Sequence, residues 1–534
     1  MCKIKLTNSE LDIKASIYKR ITNPLYVILV TLTAIGTYGF MLANPSPSID
    51  WLSYDKYYNG LLFGQGRFTA TIVEKLFMLW DCPVWFEPFL GLCFFILGTL
   101  ILLSVFDGFV KFKSIVPSIV FTCIYISFPL LPEYFIYNGA ILTVGGCTVL
   151  FSLALYFSIK FTDFFRSFLL PTGLLILVIS WYECLVLPYI GAVFAILILI
   201  EMNREKYKSK YIIRNGIFFA VILAAAAILE FVVTKIIIKL FSIPQNEFAN
   251  TKSYWTYGTG SFYRLIRSYI INWVLKVFCY PPFMLLLAAG IIFFVMFIVR
   301  IRKTKSFGTV ILFLGSLIPV FAMTMFRGGG SEYRTEQGMP FFVAFTAYLI
   351  SLSSSAFKKP FKRILCAVFA FVMIISCGAS NRSYWVNNLR YEEEKNVILT
   401  VNNIITEKFD KSKPVVFIGG YNMSDSLMEK ITVADDSFTG KIIHKFAKEE
   451  SVTRMKTYYH LIGCSYINWG IRATFDYDKP EDELYKFCDY LGINFNHCTR
   501  AQFDEAIKKY SNIPSYPDQG FIIETDEYIV VNMK

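Results

Sequence analysis

The sequence predicts a polytopic α-helical membrane protein of about eleven transmembrane helices followed by a small α/β domain. The first reason is composition, since 55% of the 534 residues are hydrophobic and only 17% are charged. One or two soluble cores cannot bury that much apolar surface. The second reason is that the apolar residues fall in repeated segments long enough to cross about 30 Å of hydrocarbon. The third is a change near residue 380, after which the sequence has the patterning of a soluble domain.

The first predicted span is Pro24–Ala43, and the basic residues 1–23 are expected in the cytoplasm. A cleaved signal peptide is not favoured, because the apolar segment is long and its end lacks a small-residue cleavage site. Ten further spans are predicted at residues 88–106, 114–130, 139–159, 168–180, 187–200, 213–240, 273–299, 310–326, 340–355 and 364–375.

The stretch 168–200 needs a decision, because its nearly unbroken apolar run would measure about 50 Å as one helix. We divide it at Trp181-Tyr182-Glu183, where a carboxylate and the nearby Pro188 indicate a surface turn. Loop charge agrees with this division. With eleven spans, all seventeen basic residues of the predicted inner loops fall on one side of the membrane, against four acids.

This topology brings polar and aromatic loop residues together on the outer face. The segments predicted there are the first outer loop 44–88, the aromatic loop 246–269, the segment 327–337 (RGGGSEYRTEQ), and the neighbourhoods of Glu133 and Glu183. The first loop carries Asp50, Asp55 and, in a Gly-Gln-Gly-Arg turn, Arg67. Ionisable groups next to a membrane span mark candidate sites, so the outer face is the predicted functional face.

The chain therefore divides into a cytoplasmic N-terminus (1–23), a transmembrane domain (24–379) and an extracytoplasmic α/β domain (380–534). In the last part, residues 414–419 (PVVFIG) predict a buried strand, 484–491 and 502–510 amphipathic helices, and 521–531 a hairpin. No GxGxxG or GxxxxGK motif occurs, so use of NAD or ATP is not expected.

Charge and cysteine content exclude other classes. The net charge of +12 is concentrated in the predicted cytoplasmic loops, so no nucleic-acid partner is expected. The twelve Cys include no CxxC pair and lie mostly in apolar segments, which is typical of small core residues. With three His, a histidine-built metal site is not expected. No cofactor is indicated, and a divalent metal is left open.

Several short stretches follow one another in the order of a known family. They are SIDWLSYDKYY with GRF, FPLLPEYFIYN, SWYE, the arginine-containing loop 327–334 and, near the C-terminus, YPDQGFIIETDEYIVV. In these motifs, which extend over nearly the whole chain, the sequence resembles the type II O-antigen glucosyltransferases, serotype-converting bacterial enzymes of the GT-C superfamily. The resemblance implies a GT-C-like fold in the bacterial inner membrane. It also implies transfer of a sugar, glucose, from a polyprenyl-phosphate carrier to a cell-envelope glycan on the outer face.

Such a transfer needs a base, a phosphate site and a sugar site. The candidate bases are Asp50, which lies closest to the predicted membrane surface, and Asp55, and the choice between them stays open. Arginine binds phosphate oxygens with two parallel hydrogen bonds, so Arg67, Arg327 and Arg334 are the candidates for the donor phosphate. The candidate cavity and sugar-binding residues are Trp51, Tyr54, Tyr58, Glu133, Tyr182, Glu183, Trp255 and Glu332.

Structural roles compete with these assignments. Asp50 is also placed to cap a helix, Arg67 to neutralise Glu74, and Glu133 and Glu183 to pair with Arg327 or Arg334 and so lock helices together. The aromatic residues also fit an interfacial belt. Two other functions share most features: a transporter or flippase of lipid-linked sugars, and an envelope polysaccharide polymerase. The sequence shows no internal duplication of the kind common in transporters, and this favours the enzyme.

Overall fold

The computed structural model of the chain describes residues 11–52, 62–110, 114–137, 139–203, 209–243, 281–304, 307–327, 333–354, 357–446, 449, 452, 456, 462–472 and 479–534. Its first helices are α1 (Ile13–Ile21), α2 (Pro24–Ala43), α3 (Ile49–Leu52), α4 (Leu62–Gly64), α5 (Phe68–Phe77), α6 (Phe86–Asp107), α7 (Val116–Ile126), α8 (Leu131–Phe135), α9 (Ala140–Lys160), α10 (Leu170–Trp181) and α11 (Val186–Met202). Next come α12 (Ser209–Leu240), α13 (Pro281–Thr304), α14 (Phe307–Arg327), α15 (Gly338–Ser353) and α16 (Lys359–Lys408). The remaining elements are β1 (Val415–Ile418), α17 (Asp425–Ile431), α18 (Phe438–Phe446), α19 (Tyr466–Arg472), α20 (Asp482–Tyr490), α21 (Arg500–Tyr510), β2 (Ile522–Glu524) and β3 (Ile529–Asn532).

Several of these helices have the length and composition of membrane spans, as the sequence predicts. In the described part of the chain, seven are long and apolar enough to cross a bilayer: Pro24–Ala43, Phe86–Asp107, Ala140–Lys160, Glu183–Met202, Tyr211–Leu240, Met284–Arg302 and Lys359–Lys408. Four shorter apolar helices, Val116–Ile126, Phe165–Trp181, Gly308–Val320 and Gly338–Ser353, coincide with the other predicted spans. The chain is a helical membrane protein, and the count of eleven crossings stays a prediction.

The predicted break inside 168–200 is confirmed. Helix α10 ends at Trp181, Tyr182 has an extended backbone (φ −160°, ψ 112°), and a 3-10 turn at Glu183–Leu185 leads into α11. The turn exposes the Glu183 side chain while Tyr182 stays buried.

Helices α6 and α9 pack backbone against backbone, because glycines line their contact. A Cβ added at Gly91 would lie 2.3 Å from the backbone nitrogen of Leu142, and one added at Gly145 would lie 2.2 Å from the Gly91 carbonyl oxygen. Small residues of this kind let membrane helices approach closely. The contact fixes the N-terminal end of α9, just after the short helix α8.

Basic residues predicted for the inner loops gather at one end of the bundle. Arg20, before α2, donates to Asp107 at the end of α6 (Nη2–Oδ1 3.0 Å) and to Ser118 (Nε–Oγ 3.1 Å). At the same end, Lys160 donates to the carbonyl oxygen of Leu11 (2.8 Å), and Arg300 donates to that of Glu201 (2.6 Å). The side chain of Arg20 is fully buried, so this pair ties α1 to the bundle.

We expect Arg20→Ala to destabilise the protein by about 3–5 kcal/mol, because Asp107 would lose the partner that balances its charge in a mostly buried site. Arg166→Ala is the matched control, since its ion pair with Asp163 is largely exposed (54% and 41%) and should contribute less than about 1 kcal/mol. Thermal unfolding of both variants in the same detergent measures the difference. Equal shifts would show that the buried pair is no more important than the exposed one.

The change of composition near residue 380 does not end a helix. Helix α16 runs without interruption for 50 residues, from Lys359 through the predicted last span to Lys408. Its first half contacts α2, and its second half places Val397, Val401 and Ile405 in a second hydrophobic core. A single rigid element therefore joins the membrane part to the C-terminal part.

The second core contains the predicted strand, helices and hairpin. The sheet has the order β1-β3-β2, with β1 parallel and β2 antiparallel to β3, in register from Val415↔Ile529 to Ile418↔Asn532. The helices predicted at 484–491 and 502–510 are α20 and α21, and the hairpin joins β2 to β3. All four predicted elements are confirmed.

A buried carboxyl group accepts a hydrogen bond from the backbone at the free edge of β1. The backbone N–H of Phe417 donates to both carboxyl oxygens of Glu481 (3.1 Å each), and the Tyr485 hydroxyl donates to the carbonyl oxygen of Val415 (2.6 Å). Glu481 is fully buried, and this burial raises its pKa from 4.5 to about 8, against the opposing effect of the hydrogen bonds that its carboxyl group accepts from Phe417, Cys498 and Tyr485.

This pKa predicts a pH-dependent stability. Between pH 4.5 and 8 the folded state holds a proton on Glu481 that the unfolded chain releases, so the free energy of unfolding should fall with rising pH, at most about 1.4 kcal/mol per unit. Glu481→Gln should remove that part of the slope, because the amide stays neutral and its oxygen still accepts from Phe417. Thermal midpoints of the wild-type chain and of the Glu481→Gln variant at pH 5.5 and 8 measure this pH dependence of stability. Glu505→Gln, on the partly exposed face of α21, should keep the wild-type slope, and a Glu481→Gln variant that also keeps it would contradict the assignment.

Candidate functional site

The short helix α8 lies at the other end of the bundle from Arg20, between α7 and α9. Pro132 occupies its first turn, where a missing N–H costs nothing, and Glu133 follows. Tyr134 and Phe135 are buried, whereas Glu133 and Tyr137 are half-buried. This helix is the centre of the predicted FPLLPEYFIYN motif, and both clusters of site residues described below contact it.

The first cluster joins Arg67, Tyr182 and Glu183 to α8. The ring of Tyr134 stacks on that of Tyr182, with centroids 4.9 Å apart and planes at 19°. The Arg67 guanidinium lies 4.6 Å from the centroid of Tyr182 and forms a forked salt bridge with Glu183 (Nη2–Oε1 2.9 Å, Nε–Oε2 3.2 Å). The side chains are 22% and 47% exposed, so a ligand can reach this arginine.

The Gly-Gln-Gly-Arg turn places Arg67 at this position. The backbone N–H of Arg67 donates to the carbonyl oxygen of Leu62 (2.8 Å). Gly66 has φ +81°, a conformation that favours glycine. A Cβ at Gly66 would lie 3.2 Å from the Oε1 of Glu230 and from the Oγ1 of Thr234, both on α12. The turn therefore needs glycine for conformation and for space.

Glu230 is a site residue that the sequence prediction missed. It is half-buried, accepts a hydrogen bond from Thr234 (2.7 Å) and interacts electrostatically with Glu183. The sequence alone could have indicated it, because Glu230 is an isolated carboxylate inside the predicted span 213–240, and ionisable residues within spans mark candidate sites.

The second cluster joins Arg334 and Asp50 to the end of α8. The 3-10 turn Tyr333–Thr335 contacts α8, and the Arg334 guanidinium lies 4.9 Å from the centroid of the Tyr137 ring. Burial raises the pKa of the Tyr137 hydroxyl, the positive charge of Arg334 opposes that effect, and the negative charge of Asp50 adds to it. One candidate base and one candidate phosphate ligand thus lie close to the same tyrosine.

The C-terminal core holds the segment that carries Asp50. Ser48 caps α3 by accepting from the N–H of Trp51 (3.1 Å), so the cap is Ser48 and Asp50 occupies the first turn. The Tyr466 hydroxyl donates to the carbonyl oxygen of Pro47 (2.6 Å). The Trp51 ring meets the Tyr490 ring edge-on at 5.6 Å, so Trp51 has a packing role, and its binding of sugar stays a prediction.

Two buried carboxyl groups near this face form a pair. Glu74 of α5 and Glu87 in the first turn of α6 are each 6% exposed, and the two carboxyl groups interact electrostatically. The salt bridge of Arg67 described above is with Glu183, on a different element from Glu74.

The remaining predicted residues cannot be placed in this site. Asp55, Tyr54, Tyr58, Trp255 and Glu332 lie outside the described residues. Arg327 is the last residue of α14, and its side chain is likewise not described. Within the described ranges, no three His, Cys, Asp or Glu side chains are grouped to hold a metal ion.

A comparison with protein families identifies the chain. A family model described as glucosyl transferase GtrII matches residues 39–351, more than half of the chain. The chain belongs to the GtrII glucosyl transferase family. This confirms the resemblance to type II O-antigen glucosyltransferases. Searches of curated proteins and of solved structures find no match to it.

The GtrII match covers both clusters and α8. It begins within α2 and ends within α15, so Asp50, Arg67, Glu133, Glu183 and Arg334 all lie inside it. The C-terminal motif YPDQGFIIETDEYIVV lies outside it, and that part of the resemblance stays a prediction. Membership gives the chain a general glucosyltransferase role.

Proposed function

We propose that the chain transfers glucose from polyprenyl-phosphate glucose to a cell-envelope glycan on the outer face of the bacterial inner membrane. The observation that carries this proposal is the convergence of two arginines and a carboxylate on α8. Arg67 lies over the ring of Tyr182, which stacks on Tyr134 of α8. Arg334 lies over the ring of Tyr137 at the end of α8, and Asp50 interacts electrostatically with the same tyrosine. Transfer of a sugar from a phosphate carrier to a hydroxyl group needs such a combination of cations and a base.

The chemistry assigns a role to each group. Asp50 accepts the proton of the attacking acceptor hydroxyl, so that the oxygen forms a bond to the anomeric carbon as the bond to phosphate breaks. Arg67 and Arg334, joined by Arg327, bind the negatively charged polyprenyl phosphate that leaves. Glu133, half-buried between the two clusters, is placed to hydrogen-bond a sugar hydroxyl.

The distribution of charge supports the outer face. The basic residues of the predicted inner loops, such as Lys160 and Arg300, lie at the end of the bundle away from α8, as expected for the cytoplasmic side. In this orientation α8, both clusters and the C-terminal core face the outside, where the envelope glycan is available.

The test is transfer of radiolabelled glucose from synthetic polyprenyl-phosphate glucose to the host's envelope glycan by membranes containing the chain. Sealed vesicles of the two orientations locate the reaction, and we expect transfer when the outer face is exposed to donor and acceptor. Equal transfer from a nucleotide sugar without lipid would contradict the lipid donor. No transfer from an active lipid donor would overturn the proposal and favour a transporter or a polymerase.

A further inference from the structure

The loop that leads into α19 packs against the end of α8. It consists of residues 463–466 and lies outside residues 39–351, which the GtrII family model matches. The Sγ of Cys464 lies 3.7 Å from the Tyr137 hydroxyl. Gly463 has φ +76°, and a Cβ added there would lie 2.5 Å from the Cδ1 of Ile136. A part of the C-terminal core therefore reaches the helix on which the candidate site is built.

The same loop holds the segment that carries the candidate base Asp50. The Tyr466 hydroxyl donates to the carbonyl oxygen of Pro47 (2.6 Å). Pro47 directly precedes Ser48, which caps α3, and Asp50 lies in the first turn of that helix. Asp50 in turn interacts electrostatically with Tyr137. One loop thus contacts both the tyrosine at the end of α8 and the backbone from which the base projects.

Tyr466 is itself fixed by buried groups. Its ring stacks on that of Phe487, with centroids 4.7 Å apart and planes at 18°. Its backbone N–H donates to the Oε2 of Glu394 (2.6 Å), which also accepts from the N–H of Ile467 (3.0 Å). Glu394 is fully buried on α16, and its charge interacts with that of Arg390, one turn earlier. Because α16 also packs on α2, one long helix orients both Tyr466 and the span that leads into the Asp50 segment.

We infer that Tyr466 is a positioning residue for Asp50, and that the C-terminal part takes part in transfer by fixing the place of the base. This inference rests on the proposed function, in which Asp50 accepts the proton of the acceptor hydroxyl. A general base must lie within hydrogen-bond distance of the proton it accepts. A displacement of about 1 Å can lower a rate about 100-fold. Tyr466→Phe removes the hydrogen bond to Pro47 and keeps the ring, so it releases the Asp50 segment without opening a cavity.

The test uses the full chain in lipid nanodiscs. We expect Tyr466→Phe to lower the kcat of glucosyl transfer about tenfold or more, with the donor KM unchanged because the arginines that bind the donor are untouched. Hydrogen exchange of residues 48–52, measured by mass spectrometry, should become faster. Tyr485→Phe is the matched control, because Tyr485 is also a buried tyrosine of the C-terminal core whose hydroxyl donates to a backbone carbonyl oxygen, that of Val415, at 2.6 Å. It should lower the thermal midpoint as Tyr466→Phe does, yet keep the wild-type kcat and the wild-type exchange of residues 48–52.

A double variant separates positioning from general support of the fold. Because Tyr466 acts through Asp50, adding Tyr466→Phe to Asp50→Asn should not lower the residual transfer further. A further loss by the same factor as in the wild-type background would show that Tyr466 supports the fold in general, and would overturn the inference. An equal kcat for Tyr466→Phe and Tyr485→Phe would overturn it as well.

Hydrogen exchange keeps this inference distinguishable from the proposed function. If the wild-type chain transfers no glucose from an active lipid donor, the proposed function fails, and exchange of residues 48–52 remains as the measure of positioning. Faster exchange in Tyr466→Phe and not in Tyr485→Phe would then still show that the Tyr466 hydroxyl holds the Asp50 segment. Exchange that is unchanged in Tyr466→Phe would overturn the inference, whether or not transfer is observed.

Discussion

Asp50→Asn should lower glucosyl transfer by about two to four orders of magnitude, because a positioned general base contributes that much and an amide cannot accept the proton. Binding of the donor should survive, since Arg67 and Arg334 are untouched. Stability should survive as well, since Ser48 caps α3 and Trp51 packs on Tyr490 without the carboxylate. Labelled transfer at matched expression, with kcat and donor KM measured separately, tests the expectation.

Two companion variants make the result specific. Asp81→Asn changes an exposed carboxylate in the same predicted outer loop and should leave transfer unchanged. Asp55→Asn tests the second candidate base. If Asp55→Asn loses transfer while Asp50→Asn keeps it, the base is Asp55. If both keep it, neither aspartate is the base.

Hydrophobicity alone predicted where most helices lie. The run Pro24–Ala43 is a helix with the predicted bounds, because twenty apolar residues in a bilayer must satisfy their own backbone hydrogen bonds. The same reasoning located the break at Trp181 to Glu183, where a carboxylate interrupts an apolar run that is too long for one span. In the C-terminal core, strand β1 and the β2–β3 hairpin followed from short β-branched runs ended by turn residues.

Composition did not reveal that α16 continues to Lys408. The change near residue 380 is a change of side-chain polarity, whereas helicity depends on backbone hydrogen bonds that both lipid and water allow. Residues such as Val397 and Val401 then pack into the second core. The predicted boundary therefore marks a change of composition and not the end of a helix.

Contacts between residues far apart in the chain could also not be predicted from a single sequence. Arg67 and Glu183 are 116 positions apart, and each was predicted as a site residue for a separate reason. Their salt bridge depends on the turn at Gly66 and on the end of α10, which meet only in the folded bundle. Trp51 was predicted to stack on sugar, but its contact with Tyr490 depends on the docking of the C-terminal core.

The Arg67–Glu183 pair has two opposed interpretations, and a pair of variants should distinguish them. If Arg67 binds the donor phosphate, Arg67→Lys should raise the donor KM about 10- to 100-fold, because a charge-assisted forked contact of about 1.5–3 kcal/mol is lost. Glu183→Gln should lower the donor KM or leave it unchanged, because it removes the carboxylate that competes with phosphate for the guanidinium. Steady-state kinetics with the lipid donor varied measure both effects.

A structural brace would behave differently, because breaking the pair from either side would loosen the contact between the Gly66 turn and α10. Arg67→Lys and Glu183→Gln would then lower the thermal midpoint together and shift the donor KM in the same direction. Arg382→Lys is the matched control, since Arg382 also lies over an aromatic ring, that of Trp385 at 4.6 Å, but on α16. Opposite shifts for Arg67→Lys and Glu183→Gln, with Arg382→Lys at wild-type values, would identify Arg67 as a phosphate ligand that Glu183 occupies until the donor arrives.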